Sequence, residues 1–255
     1  MNNNQFLALP NEIMNRDNPL HYELFNFNNN IDFKVFLMVL SISTMMYKDN
    51  GLKKQSFSIN GLLSRNSYLP RSKLNFEKLE SIINEFGESP FFKKICVTKS
   101  LINPKTENGS KNEEDIIKHT LTNSLKKVVE LELSDEYIKT LNNKKSGFNK
   151  VRLDELKACR DVKATKLKVI TLMKPTGYLH LNYLLKVLSI KNNLNRSDKI
   201  RQIRRAFNGI KLEFEYKHPK NQNDEIKPEH FRFYYDSKQK TENDLKNEEL
   251  NNILF

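Results

Sequence analysis

Leucines at positions 181, 184, 185 and 188 set the clearest hydrophobic period in the chain. Their i, i+3, i+4, i+7 spacing puts them on one face of a helix. Tyr178, Leu179 and His180 form a short apolar piece before it, and a polar turn over 191–194 leads to a second helix over 196–207. In that helix Ile200, Ile203 and Phe207 share one face, which packs on the leucine helix. Asn195 is its expected N-cap, with Asp198 at the third position, where a carboxylate suits the positive end of the helix dipole. From 210 to 217 apolar and charged residues alternate: Ile210, Leu212, Phe214 and Tyr216 against Lys211, Glu213, Glu215 and Lys217. That period of two predicts a half-buried strand. After a polar, proline-containing loop over 218–230, residues 231–235 alternate again.

The earlier half repeats this order. Asp32 is the expected cap of a helix reaching about Tyr47, apolar nearly all round and therefore buried. Residues 56–58 read as a strand, 59–64 as a short helix, and 71–86 as a helix buried through Phe76, Leu79, Ile82, Ile83 and Phe86. Strands follow at 91–98 and 127–133, joined by an insertion at 99–124 that is long for a loop in a compact domain. Residues 134–141 predict a helical cap and 142–147 a linker. Residues 148–153 then read as a short strand and 154–173 as a helix bent near Arg160 and Asp161. Strand, helix, turn, helix, strand, loop, strand is the order of a winged helix-turn-helix. The expected fold class is α+β, mostly helical, with two tandem winged-helix domains. They occupy 31–141 and 148–236, between a lead-in at 1–30 and an acidic flexible tail at 237–255.

Charge separates the two halves. Of the 255 residues, 1–143 carry 18 Lys and Arg against 17 Asp and Glu, whereas 144–217 carry 19 against 6, a net of +13. Residues 218–255 carry 6 against 8, so the overall +12 sits in one segment. Such a field is the footprint of a polyanion binder. It converges on the second helix of the later unit. There Arg201 and Arg205 point away from the apolar stripe with Gln202 beside them, and Arg196, Lys199 and Arg204 flank it. Arg grips guanine and Gln grips adenine in the major groove, so Arg201, Gln202 and Arg205 are the candidate base readers. Lys217 and Lys220 lie where a wing meets phosphate. In the first unit Arg71, Lys73 and Lys78 are weaker candidates, because Glu77, Glu80, Glu85 and Glu88 offset them. That unit is the better candidate for protein contact and dimerisation.

Catalytic and metal chemistry find no support in the pattern. There is no phosphate-cradling glycine motif and no H-x-H or H-E-x-x-H pair among the five histidines. His218 and His230 read as solvated loop histidines, and no catalytic grouping stands out. Cys96 and Cys159 are far apart and make no metal or disulfide framework. The expectation is a non-enzyme without cofactor or metal. The start lacks a secretion signal, and the apolar run at 35–46 is shorter than a membrane span, so a cytoplasmic, soluble chain is expected.

Taken together, residues 30–236 resemble the plasmid replication initiator (Rep) proteins built from two winged helices. The resemblance runs through Phe148 to Leu156 leading into a long helix, Tyr178 to Ile190, the arginine-rich helix, and Ile210 to Tyr216 with its return strand. Val129 to Ile138 is similar to the end of that family's first domain. The resemblance implies binding of double-stranded DNA at direct repeats (iterons), origin opening, and recruitment of the host initiator and replicative helicase. It also implies a homodimer that represses its own promoter and a monomer that initiates. By position it assigns Arg196, Lys199, Arg201, Gln202, Arg204 and Arg205 to the main DNA-reading helix. The alternatives are a tandem winged-helix transcriptional regulator and a protein-assembly scaffold with an incidental basic face.

Overall fold

The computed structural model describes residues 6–63, 69, 73–100, 126–143, 147–218 and 230–238. In chain order the elements are β1 (Phe6–Pro10), α1 (Leu20–Leu24), α2 (Asn30–Asn50), β2 (Lys54–Ser58), α3 (Phe76–Glu85), β3 (Phe92–Ser100), β4 (Lys126–Leu133) and α4 (Asp135–Asn142). They continue with β5 (Phe148–Arg152), α5 (Val162–Met173), β6 (Thr176–His180), α6 (Leu181–Val187), α7 (Arg196–Gly209), β7 (Phe214–Lys217) and β8 (Arg232–Asp236). One compact unit is built on Lys34–Gly147 and a second on Asn4–Phe33 together with Phe148–Phe255. The expected insertion, linker, most of the 218–230 loop and the tail fall largely outside the described residues, as do Arg71 and Lys220.

The first unit folds around α2. Its cap is Asn29, whose Oδ1 accepts the N–H of Ile31 at 2.7 Å, so the helix starts before Asp32 and leaves that carboxylate in the first turn. Gly51, at φ +68°, ends it by donating its N–H to the Tyr47 carbonyl at 2.7 Å. At 21 residues α2 is long and apolar enough to span a bilayer, contrary to the sequence expectation, but 61% of its most apolar window is buried in the fold. Phe36 on this helix meets Phe86 and Phe91 edge-on, and Phe91 meets Tyr137 of α4. The Tyr137 hydroxyl shares a hydrogen bond with Thr44 at 2.7 Å, and burial pushes its acidity well below that of an ordinary tyrosine. An antiparallel sheet of order β2-β4-β3 packs alongside. The helix expected from 71 begins at Phe76, because the Asn75 side chain accepts the N–H of Lys78 and fixes the cap there.

The second unit corrects the expected boundaries. Residues 6–10 are no mere lead-in: β1 pairs antiparallel with β5, Leu7 opposite Val151 and Leu9 opposite Asn149. Leu7, Leu9 and Val151 are fully buried by that pairing. The helix expected over 154–173 is a single 3-10 turn at Asp154–Leu156 and then α5, because Asp161 caps α5 by accepting the N–H groups of Lys163 and Ala164. Asn30 joins this part of the unit to α5, donating to the Cys159 carbonyl at 3.0 Å and accepting from the Thr165 hydroxyl at 2.6 Å. The sheet has the order β6-β8-β7, the same topology as in the first unit. The strand expected over 210–217 shrinks to β7. Ile210 and Lys211 instead finish α7, donating to the Phe207 and Asn208 carbonyls, with Lys211 at φ +52°. The alternation at 210–213 is the overlap of a helix end with a strand start.

A buried cation sits between α5 and the turn after α6. Lys166 is fully buried, and its Nζ donates to Ser189 Oγ at 2.9 Å. Ser189 itself adopts φ +53°, and the N–H of Ile190 bonds to the Leu185 carbonyl to close the α6 terminus. Burial, helped by Lys163, lowers the Lys166 amine from 10.5 to about 8. The unfolded chain therefore holds the extra proton between pH 8 and 10.5, so stability rises with pH across that window. Below pH 8 the folded state carries the cost of a buried ammonium in full. Lys166→Met is expected to melt higher than the parent at pH 7 and to lose that rise, as read by thermal melts from pH 7 to 10.5. A variant that melts lower at every pH by the same amount refutes the account.

Candidate nucleic-acid interface

Asn195 starts α7 with two bonds to one residue. Its Oδ1 accepts the Asp198 N–H at 2.8 Å, and its Nδ2 donates to Asp198 Oδ2 at 2.9 Å. On the inner face Ile203, Ala206 and Phe207 are buried. The Phe207 ring lies 4.5 Å from Phe214 and 6.1 Å from Phe233, centroid to centroid, which seats the helix on β7 and β8. At the far end, a Cβ on Gly209 would stand 2.9 Å from the Ala164 Cβ. The helix therefore approaches α5 at a distance that only glycine permits. The axis of α7 is fixed at both ends.

The outer face divides the expected contact residues into two groups. Arg204 and Arg205 are exposed, Lys199 and Gln202 half-buried, and the side chains of all four lack a hydrogen bond or ion pair among the described residues. The remaining three are engaged. Arg201 is 65% exposed, yet its Nη2 lies 2.6 Å from Asp198 Oδ1, one turn back. Arg196 donates to the Tyr216 hydroxyl at 3.0 Å and stacks its guanidinium 5.3 Å from the Phe231 ring centroid, which ties the helix start to β7 and to the residue before β8. Lys217 pairs with Glu215 and rests over Tyr234. Counting charges along the helix misses the restraint on Arg201, although the i, i+3 spacing of Asp198 and Arg201 carries it.

In the first unit Lys73 and Lys78 are exposed, but they are not gathered into a comparable face. Glu77, Glu80 and Glu85 share α3 with Lys78, and Glu80 pairs with Lys127. Part of the basic excess in the second unit is likewise consumed internally, by Arg152 with Asp154 and by Lys168 with Glu155. Among the described residues no three His, Cys, Asp or Glu side chains converge as a metal site.

No known protein-family profile matches the chain, and a search of curated proteins returns no match. Among solved structures the chain is similar to the Pi initiator protein in complex with iteron DNA, with a TM-score of 0.50 and 14% sequence identity. The alignment covers 92% of this chain and 98% of that one. At that identity the likeness is one of fold, and it spans both units.

Proposed function

We propose that the chain is a plasmid replication initiator made of two tandem winged helices, which binds repeated origin sequences as duplex DNA through α7. The carrying observation is α7 itself: a helix capped by Asn195, seated by Phe207, and presenting Arg204 and Arg205 without partners among the described residues. The fold likeness to an initiator that binds iteron DNA supports the reading. In this reading α7 lies in the major groove, Arg201, Gln202 and Arg205 contact base edges, and Lys199 and Arg204 hold phosphate. Arg196 positions the helix through Tyr216, and Lys220, beyond the described residues, meets the backbone at the wing. The first unit serves protein contact, including a homodimer that represses the chain's own promoter, and the host initiator and replicative helicase are its further partners. The protein works in the cytoplasm by binding, without catalysis, cofactor or metal.

A gel-shift titration with direct-repeat DNA flanking the gene, against scrambled DNA at several salt concentrations, tests this. Tight, repeat-specific binding with one protein per repeat is expected, weakening steeply with salt. Equal binding to both DNAs, lost at moderate salt, leaves only a basic surface and refutes the initiator.

A further inference from the structure

The sheet of the second unit has a face that α7 does not use. Leu179, Phe233, Tyr235, Phe214 and Tyr216 alternate inward, with Phe207 ringed by three of them. Tyr178, Tyr234, Arg232 and Lys217 therefore point to the opposite side. The register sets Tyr178 beside Tyr234, and Arg232 between His180 and Lys217. The Tyr178 and Tyr234 rings stand 5.6 Å apart, and Tyr178 is 37% exposed.

Cations are laid on these rings. The Arg232 guanidinium is 4.3 Å from the Tyr178 centroid, Lys174 Nζ 5.7 Å from the same ring, and Lys217 Nζ 5.2 Å from Tyr234. Glu215 on this face is taken by Lys217, and Asp236 accepts the N–H of Lys238. Arg232 and Lys174 have no carboxylate within ion-pair distance among the described residues. Arg232 is half-buried, and its Nε is buried without a hydrogen-bond partner among the described residues. His180 reports the resulting field: burial lowers its pKa first, and Arg232 and Arg16 push it further in the same direction. A half-desolvated guanidinium held flat and left without an anion is a preformed clamp whose cost an incoming anion offsets.

We infer that this face, built on Lys174, Tyr178, Arg232, Lys217 and Tyr234, is a second nucleic-acid contact of the same unit, one that binds the phosphodiester backbone of a strand other than the duplex on α7. Alternating rings and cations match a chain that offers bases and phosphates in turn, whereas an acidic protein segment offers charge alone. The choice of a nucleic acid rests on the function proposed above. The occupant is a single strand, because only unpaired bases can reach the two rings; a second duplex segment is the competing outcome of the test.

The test uses the full chain and fluorescence anisotropy with three probes: a repeat duplex, a duplex of unrelated sequence, and a single strand of about 20 nucleotides, a length that covers one binding module. Arg232→Ala with Lys174→Ala is expected to weaken the single strand about tenfold, the scale of two lost phosphate contacts with both rings left in place. The repeat duplex should change less than about twofold, its grip on α7 being intact. Arg205→Ala, which removes a base contact, should do the reverse. A larger loss on the unrelated duplex than on the single strand overturns the assignment to a single strand. Lys174→Ala alone, at an exposed side chain, repeats the measurement without risk to the fold. Unchanged binding of both non-repeat probes by the sheet variants overturns the inference. So does a sheet variant that loses only competition by polyglutamate, which assigns the face to an acidic protein. If repeat specificity is absent while the sheet variants still lose the single strand, the initiator reading fails and this face stands.

Discussion

If α7 reads DNA as proposed, Arg205→Ala is expected to weaken binding to the repeat duplex by about 1–3 kcal/mol, or roughly 5- to 150-fold, the cost of removing one bidentate base contact. Loss of discrimination at one base position accompanies it. Arg204→Ala weakens repeat and unrelated duplexes alike and reduces the salt slope by about one, as removal of a phosphate contact requires. Arg201 behaves differently because Asp198 already holds it at 2.6 Å. Its contact with DNA displaces or shares that pair, so Arg201→Ala costs less than Arg205→Ala. Asp198→Asn should raise affinity about two- to threefold, the worth of an exposed one-turn ion pair. Anisotropy titrations at two salt concentrations measure all four variants. Arg201→Ala with Arg205→Ala leaving affinity unchanged would return the basic face to an incidental role and favour the scaffold alternative.

Phe207→Ala is expected to cost the second unit about 3–5 kcal/mol, the usual loss for a fully buried aromatic. Its ring is the common neighbour of Phe214, Phe233 and Tyr235, so the truncation empties the space between α7 and both strands of the hairpin. Against a total stability of about 5–15 kcal/mol for a domain, that leaves little margin. Two compact units predict two transitions in a urea melt followed by circular dichroism. Only the one belonging to the second unit should move, and DNA binding should fall with it. Movement of both transitions together would show that the units do not unfold separately.

The elements that hold their period over several turns are legible in the sequence alone. The leucines of α6, the apolar girth of α2, and the cap at Asn195 each state their structure locally, and each forms as read. Boundaries fail where two neighbouring signals are both plausible. Asn29 and Asp32 are each good caps, and the chain takes the earlier one. Residues 210–213 alternate like a strand, but the hydrogen bonds from Ile210 and Lys211 back into α7 claim them first. What cannot be read at all is long-range. Nothing in residues 6–10 announces pairing with residues some 140 positions later, a separation that loop-closure entropy makes invisible to local pattern. Nor does the alternation of 231–235 say that Arg232 lies over Tyr178, because the two meet diagonally across strands that are distant in sequence.

The pairing of β1 with β5 has a consequence for synthesis. The second unit is assembled from both flanks of a continuous first unit, so its amino-terminal strand waits on the ribosome until Phe148–Arg152 has emerged. Residues 34–147 meanwhile form a contiguous unit that can fold as soon as it clears the exit tunnel. At about 5–20 residues per second the delay lasts on the order of ten seconds. During it, the apolar edge of Leu7 and Leu9 has no partner. The half of the molecule that carries α7 is therefore the last to mature, because its sheet cannot close before its central strand, Arg232–Asp236, has emerged.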